Sequence, residues 1–231
     1  MKIFKKLLTF LSGAVIAISI ASCGSNVKFE YWNECDALNE LKDYVKDVTN
    51  KNSSSYIPVE DRNAVFDMDG TLCGELFPEY LEYLLLEYRC LEDPNYQASD
   101  ELKEVANLIR ESGRNYKTPN VSNFDVVHGA AQAKAFAGLT EDEFIAYVKE
   151  FLKRDAQGFT GLKYEDSLYK PMIEVVNYLQ ENDFKVYIVS GSDRMLCRAF
   201  ASEKLNIPAS QIIGMDVTMV ATIIIFRIRY F

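Results

Sequence analysis

Hydrophobic and polar residues alternate along this chain in stretches whose period switches between that of a helix and that of a strand. Leu38, Leu41, Tyr44, Val45 and Val48 recur at helical spacing, which predicts a helix over Trp32–Thr49 with those side chains inward. Asn50–Ser55 is polar and reads as a loop, and the apolar run Asn63–Met68 as a first strand. Pro78 opens a helix predicted through Tyr88, since proline is tolerated in a first turn. Ser99 caps another, with Leu102, Val105, Leu108 and Ile109 on one face. Gly113–Ser122 is loop-like, and the alanine-rich Phe124–Ala137 is helical. Thr140 and Glu143 have capping-box spacing ahead of Phe144, Val148, Phe151 and Leu152. Pro171 starts a helix that points Ile173, Val176 and Leu179 inward and ends at Asn182-Asp183. Lys185–Ser190 reads as a buried strand, its Val/Ile content fitting a parallel sheet. Ser192-Asp193 caps a helix to about Leu205, and Gln211–Val217 reads as a third strand.

Helix, strand, helix, strand from Pro171 onward is the order of a doubly wound α/β sheet. Asp67 and Ser190, at the ends of the first two strands, are 123 residues apart. A plain strand–helix–strand crossover takes about 30. The surplus, about Leu72–Leu168, is predicted mostly helical and enters at the carboxyl end of a strand, where ligands bind in such sheets.

The first residues change the address rather than the fold. Lys2, Lys5 and Lys6 precede an apolar stretch, Leu7–Ile20, too short for a comfortable membrane span. Ile20-Ala-Ser-Cys23 resembles a bacterial lipoprotein signal, in which cleavage precedes a cysteine that is then lipidated. An ordinary secretory signal or an uncleaved anchor are the alternatives, and all three place the folded part outside the cytoplasm. The expected mature chain is lipid-anchored at Cys23 to a bacterial membrane, in the periplasm or at the cell surface. Removing residues 1–22 takes away three lysines and no acids, leaving 22 basic against 34 acidic residues and a net charge of −12. So acidic a body argues against nucleic acid as partner. Cys35, Cys73, Cys90 and Cys197 remain, without a CxxC spacing, so zinc is not expected, and buried thiols are as good a reading as any bridge.

Candidate chemistry concentrates in Asp67-Met-Asp-Gly-Thr-Leu72, directly after Ala64-Val65-Phe66. Alternation sends Asp67 and Asp69 toward one side of a strand, where their charges repel unless something positive lies between them. A hard cation such as Mg²⁺ suits two carboxylates. Gly70 permits the turn and Thr71 adds a hydroxyl. An ordinary Asp-Gly turn would explain Asp69-Gly70 but not Asp67. Ser190-Gly191-Ser192 follows the second strand and precedes a helix, a place for a phosphate.

Together these runs resemble the first two motifs of the haloacid dehalogenase-like (HAD) hydrolase superfamily: an apolar strand ending in DxDGT, then a strand ending in Ser or Thr. The segments Ser55–Arg62 and Gly74–Tyr80 extend the likeness to secreted bacterial acid and phosphorylcholine phosphatases, over about Trp32–Asp216. The resemblance implies a Rossmann-like parallel sheet with an inserted helical cap of the phosphoserine-phosphatase-like branch. Its plan is a signal at 1–22, an N-terminal linker and helix at 23–62, a core at 63–71 and 169–217, a cap at 72–168, and an atypical tail at 218–231. It further implies a small phosphomonoester as substrate. By that resemblance Asp67 would attack phosphorus, and Asp69 would protonate the leaving alcohol and then activate water. Asp67 and the Asp69 backbone carbonyl would hold Mg²⁺, which would neutralise phosphate charge. Thr71, Ser190 and Gly191 would hold phosphate oxygens, and Glu75 would line the substrate pocket. His128, the sole histidine, reads as a structural hydrogen-bonder, and Arg194 as a helix-surface cation.

The same resemblance calls for a lysine motif and a later acidic motif. Lys163, Lys170 and Lys204 do not match the lysine's position, and TMVATIIIFRIRYF after Val217 holds neither motif. The expectation is a core truncated at its C-terminal end. The rival expectation is a non-catalytic surface lipoprotein keeping only a phosphate pocket.

Overall fold

The structure, a computed structural model, describes residues 25–77 and 79–220. The signal at 1–22, Cys23, Pro78 and residues 221–231 of the tail lie outside the described residues. Strands β1 (Asn63–Phe66), β2 (Lys185–Asp193) and β3 (Ile212–Met215) form a parallel sheet in the order β1-β2-β3. Ala64 pairs with Val186, and Phe66 with Ile188, which in turn pairs with Ile212. Alternation puts these residues on one face, where Val186, Ile188 and Ile212 are buried. β1 stops two residues before its predicted end. The carbonyl of Met68 instead accepts from Leu72 and Cys73 N–H at 2.8 and 3.1 Å, closing the turn.

The fully buried parallel strand expected at Lys185–Ser190 is buried on one face only. The opposite face carries Val65, Val189 and Ile213, which are 63%, 44% and 50% exposed. Of the described helices, α6 (Lys170–Glu181) and α7 (Arg194–Ala201) pack most against β2, and these three side chains stay exposed.

Helix α1 (Asp36–Thr49) begins four residues later than its pattern predicts. The preceding segment runs along α6 instead: Glu30 N–H donates to Glu174 Oε1 at 2.8 Å and Trp32 Nε1 to Pro171 O at 2.9 Å. Leu38, Val45 and Val48 are buried as expected, while Tyr44 is exposed.

Between β1 and β2 come α2 (Leu81–Leu91), α3 (Asp100–Gly113), α4 (Phe124–Ala135) and α5 (Glu141–Leu152). α2 packs on α3 and α4, and α5 packs on α7. Ser99 accepts from Leu102 N–H, and Thr140 and Glu143 complete the capping box. α3 is covered along Leu102, Val105, Ala106 and Ile109, which leaves the predicted core residue Leu108 exposed. The Arg89 guanidinium stacks on Tyr96 at 3.9 Å, lies 4.8 Å from the Tyr147 ring and pairs with Asp93, tying α2 to α5. The chain leaves the sheet and returns at one neck, where Tyr169 N–H donates to Leu72 O at 2.8 Å. Cys35, Cys73, Cys90 and Cys197 are free thiols.

Glu79, just before α2, is 6% exposed, and its Oε1 has no hydrogen-bond partner. Burial, with a smaller contribution from Glu87, pushes its pKa up to about 7. A folded-state pKa above the unfolded value means stability that is fully present below about 4.5 and lost as pH rises through about 7. Glu79→Gln is therefore expected to raise the melting temperature by roughly 2–4 °C at pH 8 and by clearly less at pH 5. Thermal unfolding at the two pH values checks this, and equal shifts at both would contradict it.

Candidate functional site

The carboxyl ends of β1 and β2 open into a cavity of about 560 Å³ roofed by the helical insertion. Asp67 and Asp69 line it from the turn after β1, Gly191 and Ser192 from the end of β2. Glu75, Tyr80, Glu82 and Tyr83 line it from the chain entering α2. Phe124 and Asp125 close it from the start of α4.

Local backbone chemistry makes this turn. Gly70 has φ +76°, a left-handed conformation costly for other residues. A Cβ there would also sit 3.1 Å from Glu75 Oε2. Gly70 N–H donates to Cys73 O at 2.9 Å, and Glu75 accepts from Tyr80 OH at 2.5 Å. Glu75 is thus fixed on the cavity wall.

Asp69 is the most strongly held group in the site. Ser192 Oγ donates to its Oδ2 at 2.7 Å, Ser190 Oγ to the same oxygen at 3.5 Å, and Cys73 Sγ to Oδ1 at 3.9 Å. Its pKa is nevertheless raised: burial is the largest cause, opposed by the Ser192 hydrogen bond and reinforced by the charge of Asp67. Asp69 therefore keeps a proton to higher pH than an ordinary aspartate, which suits a general acid.

Asp67, Asp69, Glu75 and Gly191 meet at the cavity as their positions in the sequence suggested. Ser190 sits one step back, accepting Ser192 N–H at 3.1 Å. Thr71 is half-buried in the turn, with its N–H on Met68 O at 3.3 Å. Of the pair Ser192-Asp193 read as capping the helix, only Asp193 caps it. Asp193 caps α7, accepting from Met195 and Leu196 N–H, and Ser192 turns to Asp69. The i, i+2 spacing of Ser190 and Ser192 on a strand was the available signal for this second hydroxyl. No pattern in the chain marked Glu82, which reaches the cavity only through the packing of α2. His128 is buried beside Tyr83, its Nε2 3.4 Å from Glu82 O, and burial lowers its pKa to about 4. It fills the structural role expected of it. Arg194 pairs with Asp216 at 2.7 Å.

The described lining carries five carboxyls (Asp67, Asp69, Glu75, Glu82 and Asp125) and no Lys or Arg. A phosphate dianion would meet strong repulsion there unless a cation accompanied it. The oxygen-only donors suit a hard divalent ion such as Mg²⁺. Among the described residues no three His, Cys, Asp or Glu side chains form a ready-made metal cage. Such an ion would draw its other ligands from water and phosphate, as Mg²⁺ commonly does.

A family model for haloacid dehalogenase-like hydrolases matches residues 62–220. Among solved structures, the chain is similar to a phosphoserine phosphohydrolase-like protein from Francisella tularensis subsp. tularensis SCHU S4. The two are 21% identical with a TM-score of 0.38, and the match covers 66% of this chain and 57% of that one. No curated protein matches the chain.

Proposed function

The chain belongs to the haloacid dehalogenase-like hydrolases, and within that family we propose that it is a phosphomonoester phosphatase working through Asp67 and Asp69. The observation that supports this most is the meeting of Asp67, Asp69 and the Ser190–Ser192 turn at one cavity, with Asp69 held by hydroxyl donors and raised in pKa. In the first step an Asp67 carboxylate oxygen bonds to phosphorus and the bond from phosphorus to the ester oxygen breaks. Asp69 gives its proton to the departing oxygen. In the second step Asp69 takes a proton from water, whose oxygen bonds to phosphorus and frees Asp67 and inorganic phosphate. The turn at Ser190–Ser192, which brings Gly191 to the cavity, would orient the phosphate oxygens. Asp67 and Asp69 are the residues that would hold Mg²⁺, which when bound supplies charge neutralisation to the phosphate.

Release of phosphate from an aryl phosphate tests the reading. We expect release with Mg²⁺ present, loss to background on chelation, and recovery when Mg²⁺ is restored. No release in Mg²⁺ would contradict it. That result would favour a second reading, a non-catalytic protein, since the described lining has no basic side chain to offset the charge of a phosphate.

A further inference from the structure

Glu82 has no part in the chemistry above, yet among the described residues it is a side chain of the insertion that grips the turn carrying Ser192. It is the second residue of α2 and only 9% exposed. Its Oε2 accepts the backbone N–H of Asp193 at 3.0 Å. Its Oε1 lies 3.8 Å from His128 Nδ1. His128 Nε2 lies 3.4 Å from the Glu82 carbonyl, which can only accept; with the ring proton on Nε2, Nδ1 is the acceptor turned toward the carboxyl. Tyr83, 4.6 Å from the imidazole, keeps that ring in place.

From the other side the turn is closed by Gly214 of β3. A Cβ at Gly214 would come within 2.6 Å of Ser192 O and 2.9 Å of Arg194 Cα. The Asp193 side chain is committed to capping α7. Ser192, between these fixed points, donates the 2.7 Å bond to Asp69. Shifting Asp193 would carry Ser192 with it, and catalysis falls steeply when reacting groups move by about 1 Å.

We propose that Glu82 is a positioning residue that couples the helical insertion to the phosphate turn: by holding Asp193 N–H it sets Ser192, and through Ser192 the acid–base group Asp69. This rests on the phosphatase reading. A carboxyl that merely supported the fold would change stability without a selective effect on turnover.

Glu82→Ala is expected to lower kcat on an aryl phosphate by about 10- to 100-fold, with KM within about twofold. Glu82→Gln can still accept from Asp193 N–H and donate to His128 Nδ1, and should keep kcat within about threefold. Should the Ala variant fail to fold, Glu82→Asp, which draws the oxygen back by one methylene, should show the same split. Wild-type kcat in Glu82→Ala would overturn the proposal. So would a Gln variant as slow as the Ala variant, since charge rather than hydrogen-bond geometry would then matter. Amide hydrogen exchange at Asp193, read in the same proteins, separates this proposal from the phosphatase reading. If the unaltered chain releases no phosphate, the phosphatase reading falls. Unchanged exchange at Asp193 in Glu82→Ala would still overturn the anchor.

Discussion

Asp67→Asn should abolish phosphate release, by at least about 10⁴-fold, the scale on which removal of a covalent nucleophile is felt. Asn keeps the size of Asp and one acceptor oxygen but lacks the carboxylate that bonds to phosphorus. The fold has little reason to suffer. Asp67 is exposed, and its charge is one of the causes that raise the pKa of Asp69. Removing that charge lowers repulsion in a cavity already crowded with carboxyls. The melting temperature should hold or rise slightly while turnover disappears. Turnover of the Asn variant equal to that of the unaltered chain would remove Asp67 as nucleophile.

Asp69→Asn has the second largest expected effect, and its signature depends on the leaving group. An alkyl phosphate needs a proton on its departing oxygen, so its turnover should fall by about 10²- to 10⁴-fold. An aryl phosphate leaves without much help, so the first step survives. The second step has lost its base, and the result should be a burst of about one equivalent followed by a stall. Asn still accepts from Ser192 and Ser190, so the turn should keep its shape. In the unaltered chain the raised pKa of Asp69 moves the alkaline loss of alkyl-phosphate turnover to higher pH than an ordinary aspartate would give. The sign follows from its role, since an acid must hold its proton, and activity falls as pH rises through that pKa. Turnover of the alkyl phosphate within about threefold of the unaltered chain would contradict the assignment.

The parts of this molecule that were legible in the sequence are those governed by local chemistry. Ser99 and the Thr140–Glu143 pair announced helix starts because capping depends on residues three apart. Asp67-Met-Asp-Gly-Thr announced the turn because two acids at a strand end and a glycine with positive φ leave few other conformations. What was not legible depends on neighbours distant in sequence. Helical periodicity put Tyr44 and Leu108 on apolar stripes, but only the packed structure decides how wide a stripe is covered. The apolar run of β2 matched a strand buried on both faces, yet Val189 is 44% exposed. Glu82 is separated by 111 residues from the amide it holds. Ser192-Asp193 was read as a capping pair; Asp193 does cap α7, but the turn of Ser192 toward Asp69 depends on a residue 123 positions away.

The most direct test of the account is the fate of the phosphoryl group. Asp69→Asn, exposed to an aryl phosphate with Mg²⁺ and quenched in acid, should carry one phosphate that peptide mass spectrometry places on Asp67. The Asp67→Asn, Asp69→Asn double variant should carry none. Phosphate on another residue, or a protein that turns over with no covalent phosphate at any quench time, would contradict the central claim that Asp67 is the nucleophile.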